Sequence, residues 1–477
     1  MLRRRSRLLP AAIGVLCVFT LVAGLTVARL LPHRLALWRP PSIAAGRLAI
    51  PAPVLDPATG VAAGGEGVTP AGVSRALAPV VTSSAFGPAL GVLVTSLATG
   101  QVLYASNATS GFTPASTNKL ATAAAVLKVL GPAARLTTRA VLGAGTGSVV
   151  LVGGGDPTLA AGPSSAAEYP QPATLAELAT ATAQALRSRG QHQIRLGYDT
   201  SLFTGPAFAP GWTSGYVTGG DVTQITPLEV DQGRVTPAGE PVDAMAGGAR
   251  SANPAPQAAA VFAGYLSSDG ITVTGSPTQV AAPARAATIA SVRSPPLAQI
   301  VYWMLEQSNN VIAENLARQV AIATGRPASF SGAAAAVTAV LRGLGVTGDL
   351  QLYDGSGLSP DDKVAPATLV QIVRLAAATP QLRSMLTGLP VAGFSGTLGP
   401  GGSVFGAGGG DALGMVRAKT GNLSQAAALA GSAYAKDGQL LVFAVMADQI
   451  SAAPGALTRA ATAMVTLANA LAGCGCR

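Results

Sequence analysis

The run GFTPASTNKLATAAAVL occupies residues 111–127. Pro114 marks a turn, and the Ala/Leu-rich stretch after it reads as a helix. Ser116 stands at the mouth of that helix, with Lys119 three residues on. Lysine is scarce here, occurring only at 119, 128, 363, 419 and 436. Positions i and i+3 share a helix face, so the Ser116 hydroxyl and the Lys119 amine are expected side by side. A serine hydroxyl is a weak nucleophile at neutral pH and needs a base. An amine is a base only when neutral, and burial or a second nearby cation drives it toward that state.

MVRAKTGNL (415–423) offers the second cation, Lys419, on a strand-like run. Gly421 removes a side chain where something must approach the strand edge closely. A substrate laid along that edge meets Thr420 and the Lys419 ammonium, both suited to a terminal carboxylate. In LEQSNNVIAENL (305–316), Ser308 and Asn310 precede the apolar pair Val311-Ile312 and suggest a helix joint lining a cleft. Ser308 is suited to passing a proton between Lys119 and a leaving group, and Asn310 to holding a substrate amide. Ser-Xaa-Xaa-Lys and Lys-Thr-Gly are weak signals alone, and Ser-Xaa-Asn recurs at 116–118 and 251–253. All three, in this order and each in suitable local structure, make a strong signal.

Other chemistries find little support. The two histidines are His33, beside an apolar N-terminal run, and His192, in RGQHQIRL before a strand-like segment. A Ser-His-Asp triad would need His192. There is no HExxH and no Cys/His cluster at zinc spacing, so neither metal nor cofactor is expected. LVGGGDP (151–157) lacks both the Lys-Ser/Thr of a P-loop and the GxGxxG order, and reads as a tight turn.

The 477 residues allow two or more domains. The net charge of +10 comes from scattered arginines with no basic-aromatic stripe, which argues against a nucleic-acid partner. It suits an exterior facing an anionic cell envelope. Residues 1–7 (MLRRRSR) read as a cytoplasmic tail and the uncharged run 8–28 as a membrane anchor or a cleaved signal peptide. Both export the rest. Residues 29–72, rich in Pro, Gly and Ala, read as a linker. Cysteine occurs only at 17, 474 and 476, so no disulfide framework holds the body; the terminal pair could form a small strained bridge or bind metal, and reads first as a frayed tail. Strand-like runs lie at 89–106 and 415–448, with helical segments between and a last helix after. This predicts a mixed α/β domain whose sheet joins the two termini.

PASTNK, GGGDPTL, YDTSLFTGP, APGW, SNN, LYDGSGLS, APATLVQI, LPVAGFSGTL and KTGNLSQAAALAG together resemble, in order, segments of one family. It is the D-alanyl-D-alanine carboxypeptidase/endopeptidase family of low-mass, class C type penicillin-binding proteins with an inserted domain. The resemblance spans about 73–470. It implies a penicillin-binding, serine β-lactamase-like α/β (α+β) domain at 73–139 and 286–477, with a mixed α/β insertion at 140–285. It implies attack by Ser116 on the bond between two D-alanines of a peptidoglycan stem peptide, with Lys119 as base. Ser308, Asn310 and Lys419 complete the catalytic set. The N–H groups of Ser116 and Asn422 would hold the oxyanion, and Thr420 and Gly421 would line the substrate strand. β-Lactams would acylate Ser116 and stay. Asp199 would pair with a free amine on the substrate's diamino acid, beside Phe203; a turn-capping carboxylate is the other reading of Asp199.

Two positions depart from the family's pattern. Pro360, then Asp361 and Asp362, stand where an arginine often follows DGSGLS. Loss of that cation suggests a substrate whose diamino-acid carboxylate is amidated or absent. Asn422 replaces the usual threonine, a mild change if only its N–H acts. A catalytically silent envelope scaffold of the same fold stays open, as does a serine β-lactamase. Against the latter, the only glutamate between Asn310 and Lys419 is Glu314, one helical turn on.

Overall fold

The computed structural model describes residues 67–163, 169–235, 248–400 and 410–477. The expected tail and apolar run at 1–28, and the linker up to residue 66, lie outside them. Among the described residues no helix is long and apolar enough to cross a membrane.

Helix α1 (Pro70–Val81) leads into strands β1 (Ala89–Ser96) and β2 (Val102–Ser106), then helix α2 (Lys119–Leu130). Next come β3 (Thr137–Leu142), β4 (Ser148–Val152), α3 (Leu175–Arg187), β5 (Gln193–Asp199) and α4 (Pro254–Ser268). The short strands β6 (Thr272–Val273) and β7 (Thr278–Gln279) precede β8 (Thr288–Arg293). Helices α5 (Leu297–Glu306), α6 (Asn310–Ala323) and α7 (Phe330–Gly343) follow, then β9 (Leu350–Gln351), β10 (Lys363–Val364) and α8 (Pro366–Ala378). The chain ends in β11 (Val416–Leu423), β12 (Ala426–Tyr434), β13 (Leu440–Asp448) and α9 (Ala456–Ala472).

The first sheet has the order β11-β12-β13-β1-β2, antiparallel throughout. It does join the two ends of the body, because β1 pairs with β13 from Ala89↔Asp448 to Ser96↔Leu441. Successive strand residues point to opposite faces. Leu441, Phe443, Val445 and Ala447 of β13 therefore pack with α1 and α9, while Val442, Ala444 and Met446 pack with the helical layer of α2 and α5–α8. Both faces are covered, which is why β13 is apolar throughout rather than alternating. Helix α2 is central to its layer and buries every residue from Lys119 to Leu127. Truncating Leu127 to alanine is expected to cost about 2–5 kcal/mol.

A second, mixed sheet has the order β6-β5-β4-β3-β8, with β7 also on β5. Parallel β4 and β5 are linked through α3, and parallel β5 and β6 through α4. Leu178, Ala183 and Leu186 of α3 share a core with Phe262 and Leu266 of α4. Chain entry and exit are adjacent: Ser294 N–H donates to Leu136 C=O (2.9 Å), and Leu136 N–H to Ser294 Oγ (2.8 Å). This sheet runs from Thr137 to Arg293, a little wider than the 140–285 expected.

Two expectations at the chain ends are corrected. Residues 70–72 belong to α1 rather than to a linker, since Thr69 Oγ1 caps the helix by accepting Gly72 N–H at 3.0 Å. The C-terminal tail is not frayed: Cys474 and Cys476 are buried and joined as a disulfide. Thr69 N–H donates to Cys476 C=O at 2.7 Å, and a Cβ on Gly72 would come within 2.8 Å of Cys476 Cα. The missing side chain lets the tail lie across α1.

Candidate active site

Ser116 sits in a 3-10 turn, Ala115–Asn118, that runs directly into α2. The tight turn, rather than a first α-turn, follows from Ala115, whose backbone is left-handed at φ 45°. Such strain in a non-glycine residue costs roughly 1–3 kcal/mol and persists only where neighbours fix it. Here they do. Thr117 Oγ1 donates back to Pro114 C=O (2.6 Å), Thr113 N–H donates to Asp448 Oδ2 (3.0 Å), and Lys363 Nζ donates to Thr113 Oγ1 (2.6 Å).

Lys119 is fully buried. Its Nζ lies 2.9 Å from Ser116 Oγ, 2.6 Å from Asn310 Oδ1 and 2.9 Å from the Ser356 C=O. Asn310 Nδ2 donates to the Asp221 C=O at 3.0 Å, which fixes the amide so that its oxygen faces the amine. Burial pushes the Lys119 amine down to about 7, against the opposing pull of Asp354 and Glu314. A neutral amine has two N–H groups and one lone pair. Asn310 Oδ1 and Ser356 O can only accept, so they take the two N–H groups. The lone pair is left for Ser116, the one of these three partners able to donate.

The Ser356 carbonyl belongs to a loop strung on buried carboxylates. Glu314 Oε1 accepts the N–H groups of Gly355 (3.0 Å) and Ser356 (2.8 Å). Asp354 Oδ1 accepts those of Ser356 (3.1 Å) and Gly357 (2.6 Å), and Asp354 Oδ2 those of Ser359 (2.6 Å) and the Trp212 indole (2.9 Å). Asp362 Oδ1 accepts Tyr353 N–H (2.6 Å). Burial, then the Asp354 charge, pushes the Glu314 carboxyl up to about 7 and the Asp362 carboxyl well above its usual range. Arg318 lies 3.7 Å from Glu314, packed over the rings of Phe203 and Phe330.

The opposite wall is β11, an edge strand. Ala392 N–H donates to Val416 C=O and Ala418 N–H to Pro390 C=O, covering only its first half. Alternation along an antiparallel edge turns the N–H groups of Thr420 and Asn422 outward as well. A Cβ on Gly421 would stand 2.6 Å from Pro114 O and 3.1 Å from the nitrogens of Ser116 and Thr117. The expected close approach is therefore the strand against the serine turn itself. Lys419 is fully buried, and its Nζ donates to Thr420 C=O at 2.8 Å. Thr420 Oγ1 lies 2.9 Å from Thr397 Oγ1. Burial, then Lys119, pushes the Lys419 amine well below its usual range, with Glu306 opposing. Repulsion is reciprocal, so the two buried amines carry one positive charge more readily than two.

Gln307–Asn309 form the joint between α5 and α6, and Ser308 takes a left-handed backbone there (φ 56°). The Ser308 side chain is half-buried and hydrogen-bonds to no described residue. The structure thus joins Ser116, Lys119 and Asn310 directly, and Ser308 makes none of these contacts, two residues before Asn310 at the helix joint. Asn310 faces Lys119 through Oδ1 and gives one of its two N–H groups to the Asp221 C=O.

Asp199 and Phe203 lie outside this contact set. Asp199 Oδ1 accepts Ser201 N–H (2.7 Å) and Oδ2 accepts Ala282 N–H (2.8 Å), a turn-capping arrangement. Burial opposes ionisation of this carboxyl, but those bonds and Arg139 outweigh it and hold it below its usual range. Phe203 packs on Arg318, behind Glu314.

Residues 73–247 and 242–471 match the model of the D-Ala-D-Ala carboxypeptidase 3 (S13) family. The chain belongs to that family. Consistent with S13 membership, it is 37% identical over 439 residues to carboxypeptidase DacB of Mycolicibacterium smegmatis, covering 89% of this chain and 91% of that one. It is 30% identical over 427 residues to a D-alanyl-D-alanine carboxypeptidase of Actinomadura sp., covering 74% and 77%. Its fold matches penicillin binding protein 4 from Haemophilus influenzae with a TM-score of 0.66 at 22% identity, covering 83% of this chain and 97% of that one. The S13 chain is thus a hydrolase of the D-Ala-D-Ala carboxypeptidase type, on a penicillin-binding fold. Among the groups missed in the sequence are the C=O of Ser356 and of Asp221. Backbone acceptors leave no residue signature, although DGSGLS did stand out as a segment.

Proposed function

We propose that this chain cleaves the terminal D-Ala-D-Ala bond of peptidoglycan stem peptides, and DD-cross-links of the same chemistry, through an acyl-enzyme on Ser116. The observation that carries the reading is the lone pair of a buried Lys119 left facing Ser116. Ser116 Oγ attacks the carbonyl as its proton moves to Lys119 Nζ. The N–H groups of Ser116 and Asn422 receive the oxyanion. Collapse breaks the C–N bond, and the departing D-alanine nitrogen takes the proton back, with Ser308 as relay. Water, deprotonated by Lys119, then releases the acyl group.

Thr420 and Lys419 hold the terminal carboxylate along the strand that Gly421 lets close on the serine turn. That anion favours the charged form of Lys419, and the charge on Lys419 in turn favours neutral Lys119. Asp199 and Phe203 line the insertion side, and the insertion is read as a domain of its own. Glu314 is buried and bonded to the Gly355 and Ser356 N–H groups, which supports a peptidase over a β-lactamase that would use it to activate water. The H. influenzae protein has been solved with a β-lactam bound; we extend β-lactam inhibition to this chain. Wall chemistry implies an extracytoplasmic site of action, with residues 8–28 as anchor or export signal.

The test is fluorescent penicillin on the purified full chain, beside Ser116→Ala. Stable labelling that the variant loses, with D-alanine release from stem peptide, is expected. Labelling that survives in Ser116→Ala, or a folded wild type that neither labels nor releases D-alanine, overturns the reading.

A further inference from the structure

We propose that Glu314 is a positioning residue for the Lys119 base, acting through the Ser356 peptide. This rests on the reading of Lys119 as the base for Ser116.

One of the three groups that orient the Lys119 amine is a main-chain carbonyl, Ser356 O at 2.9 Å. A carbonyl in a loop orients a neighbour only as well as its own peptide is held. The carbonyl's own peptide, Ser356–Gly357, donates its N–H to Asp354 Oδ1 at 2.6 Å. The two peptides before it donate the Gly355 and Ser356 N–H groups to Glu314 Oε1 at 3.0 and 2.8 Å, with second arms to Glu314 Oε2 and Asp354 Oδ1, both at 3.1 Å. The Gly355 carbonyl accepts Thr122 Oγ1 at 2.6 Å, which ties the Gly355–Ser356 peptide to the base's own helix. Gly355 is obligatory here, since a Cβ would meet Ala317 Cβ at 2.6 Å and Ala313 O at 3.0 Å on α6. Helix α6 therefore presses on the loop with its backbone and grips it with Glu314.

Glu314 is fixed in turn. Arg318, one turn along α6, sits 3.7 Å from Oε2, and its guanidinium lies 3.9 Å from the Phe330 ring centroid and 5.5 Å from that of Phe203. Phe203 comes from the inserted segment. The insertion thus reaches Lys119 by two routes: Asp221 C=O through Asn310, and Phe203 through Arg318, Glu314 and Ser356. The charged and titratable groups facing Glu314 are Arg318 on α6, Asp354 and Asp362 on the loop, and Lys119 on α2. An anion at Glu314 also favours the protonated form of Lys119, so geometry and charge separate in different variants.

The experiment is the second-order rate of Ser116 acylation by penicillin against pH, in the full chain. Glu314→Gln keeps an oxygen at the Oε1 position for both N–H groups, removes the charge, and sets an amide NH2 at the Oε2 position, which lies 3.1 Å from Gly355 N and 3.7 Å from Arg318. Its plateau should stay within about threefold of wild type while its ascending limb moves to lower pH by roughly half a unit to one unit. Glu314→Ala loses the acceptor and should lower the plateau by ~30-fold or more. A Glu314→Gln limb coincident with wild type, or folded Glu314→Ala acylating at the wild-type rate, overturns the proposal. If Glu314→Ala does not fold, Glu314→Met, of similar volume and also without the acceptor, takes its place: a folded Glu314→Met acylating at the wild-type plateau overturns the proposal. Wild-type chain that is not acylated at Ser116 would instead sink the function on which the proposal rests.

Discussion

Lys119 Nζ lies closer to Asn310 Oδ1 (2.6 Å) than to the Ser116 hydroxyl (2.9 Å) that we propose it deprotonates. The base is held from behind by a neutral amide, and neutrality is what matters. Replacing Asn310 by Asp keeps the acceptor and adds a charge against a buried amine. An opposite charge at this range raises an amine's pKa by about 1–3 units. Lys119 is an active base only above its pKa, so the ascending limb of acylation should move up from about 7. At pH 7 the rate should fall roughly 10- to 10³-fold and recover toward pH 9–10. A limb unmoved or moved downward in Asn310→Asp would refute this.

Gly421 is where the strand edge and the serine turn touch. In Gly421→Ala the new methyl meets backbone atoms of Pro114, Ser116 and Thr117, none of which can swing aside. Overpacking of this kind costs about 1–3 kcal/mol. The displaced nucleophile should lose ~10²-fold in acylation. Thermal melting and penicillin labelling on one sample separate the two effects; unchanged labelling would mean the turn tolerates the shift.

Glu229, fully buried, accepts Asn315 Nδ2 at 3.1 Å, and burial pushes its carboxyl from 4.5 up to about 8, against Arg250 and Asn315. Between those pH values the native state binds a proton that the unfolded chain does not. Glu229 therefore contributes stability that is lost as pH rises from 4.5 to 8. Asp156, pushed up to about 6, and Glu314, to about 7, add to the same slope lower in the window. Glu229→Gln should flatten the fall above pH 7. Urea midpoints across this window test it; parallel wild-type and variant curves would count against it.

Pro360 stands where the family often carries arginine, and a Cβ built on Gly211 would meet Pro360 Cδ at 3.0 Å and Asp361 Oδ2 at 3.4 Å, a corner with no cation but with a carboxylate. Stem peptides whose diamino acid is amidated are expected to be turned over faster than the free acid. The comparison is kcat/KM on the two peptides; equal values would end the argument.

The sheet was legible because β12 and β13 are short apolar runs with Lys436-Asp437-Gly438 between them, and β11 a strand-like run just before; Ser116–Lys119 was legible because i and i+3 share a face. The helix joint at Ser308 was legible from polar residues interrupting apolar spacing. What escaped had no side chain to read: the carbonyls of Ser356 and Asp221. Glu314 was noticed only as a glutamate one turn past Asn310, since nothing local says that its partners come from residues 355–356. The role given to Lys419 in lowering the Lys119 pKa also shifted. Burial dominates for Lys119, and burial depends on all the surrounding helices together. At the tail, Cys474 and Cys476 looked unanchored because their partners, Thr69 and Gly72, lie at the other end of the body.

The pairing of β1 with β13 fixes a timetable. A growing chain makes Ser116 and Lys119 early, and the edge strand that meets the serine turn near the end. Ordering such distant partners is slow compared with forming a local helix. Until β11 docks, the nucleophile has no opposing edge, and Lys119 lacks the dry surroundings that make it a base. On the proposed reading, chain order alone keeps nucleophile and base from being assembled until β11 is in place.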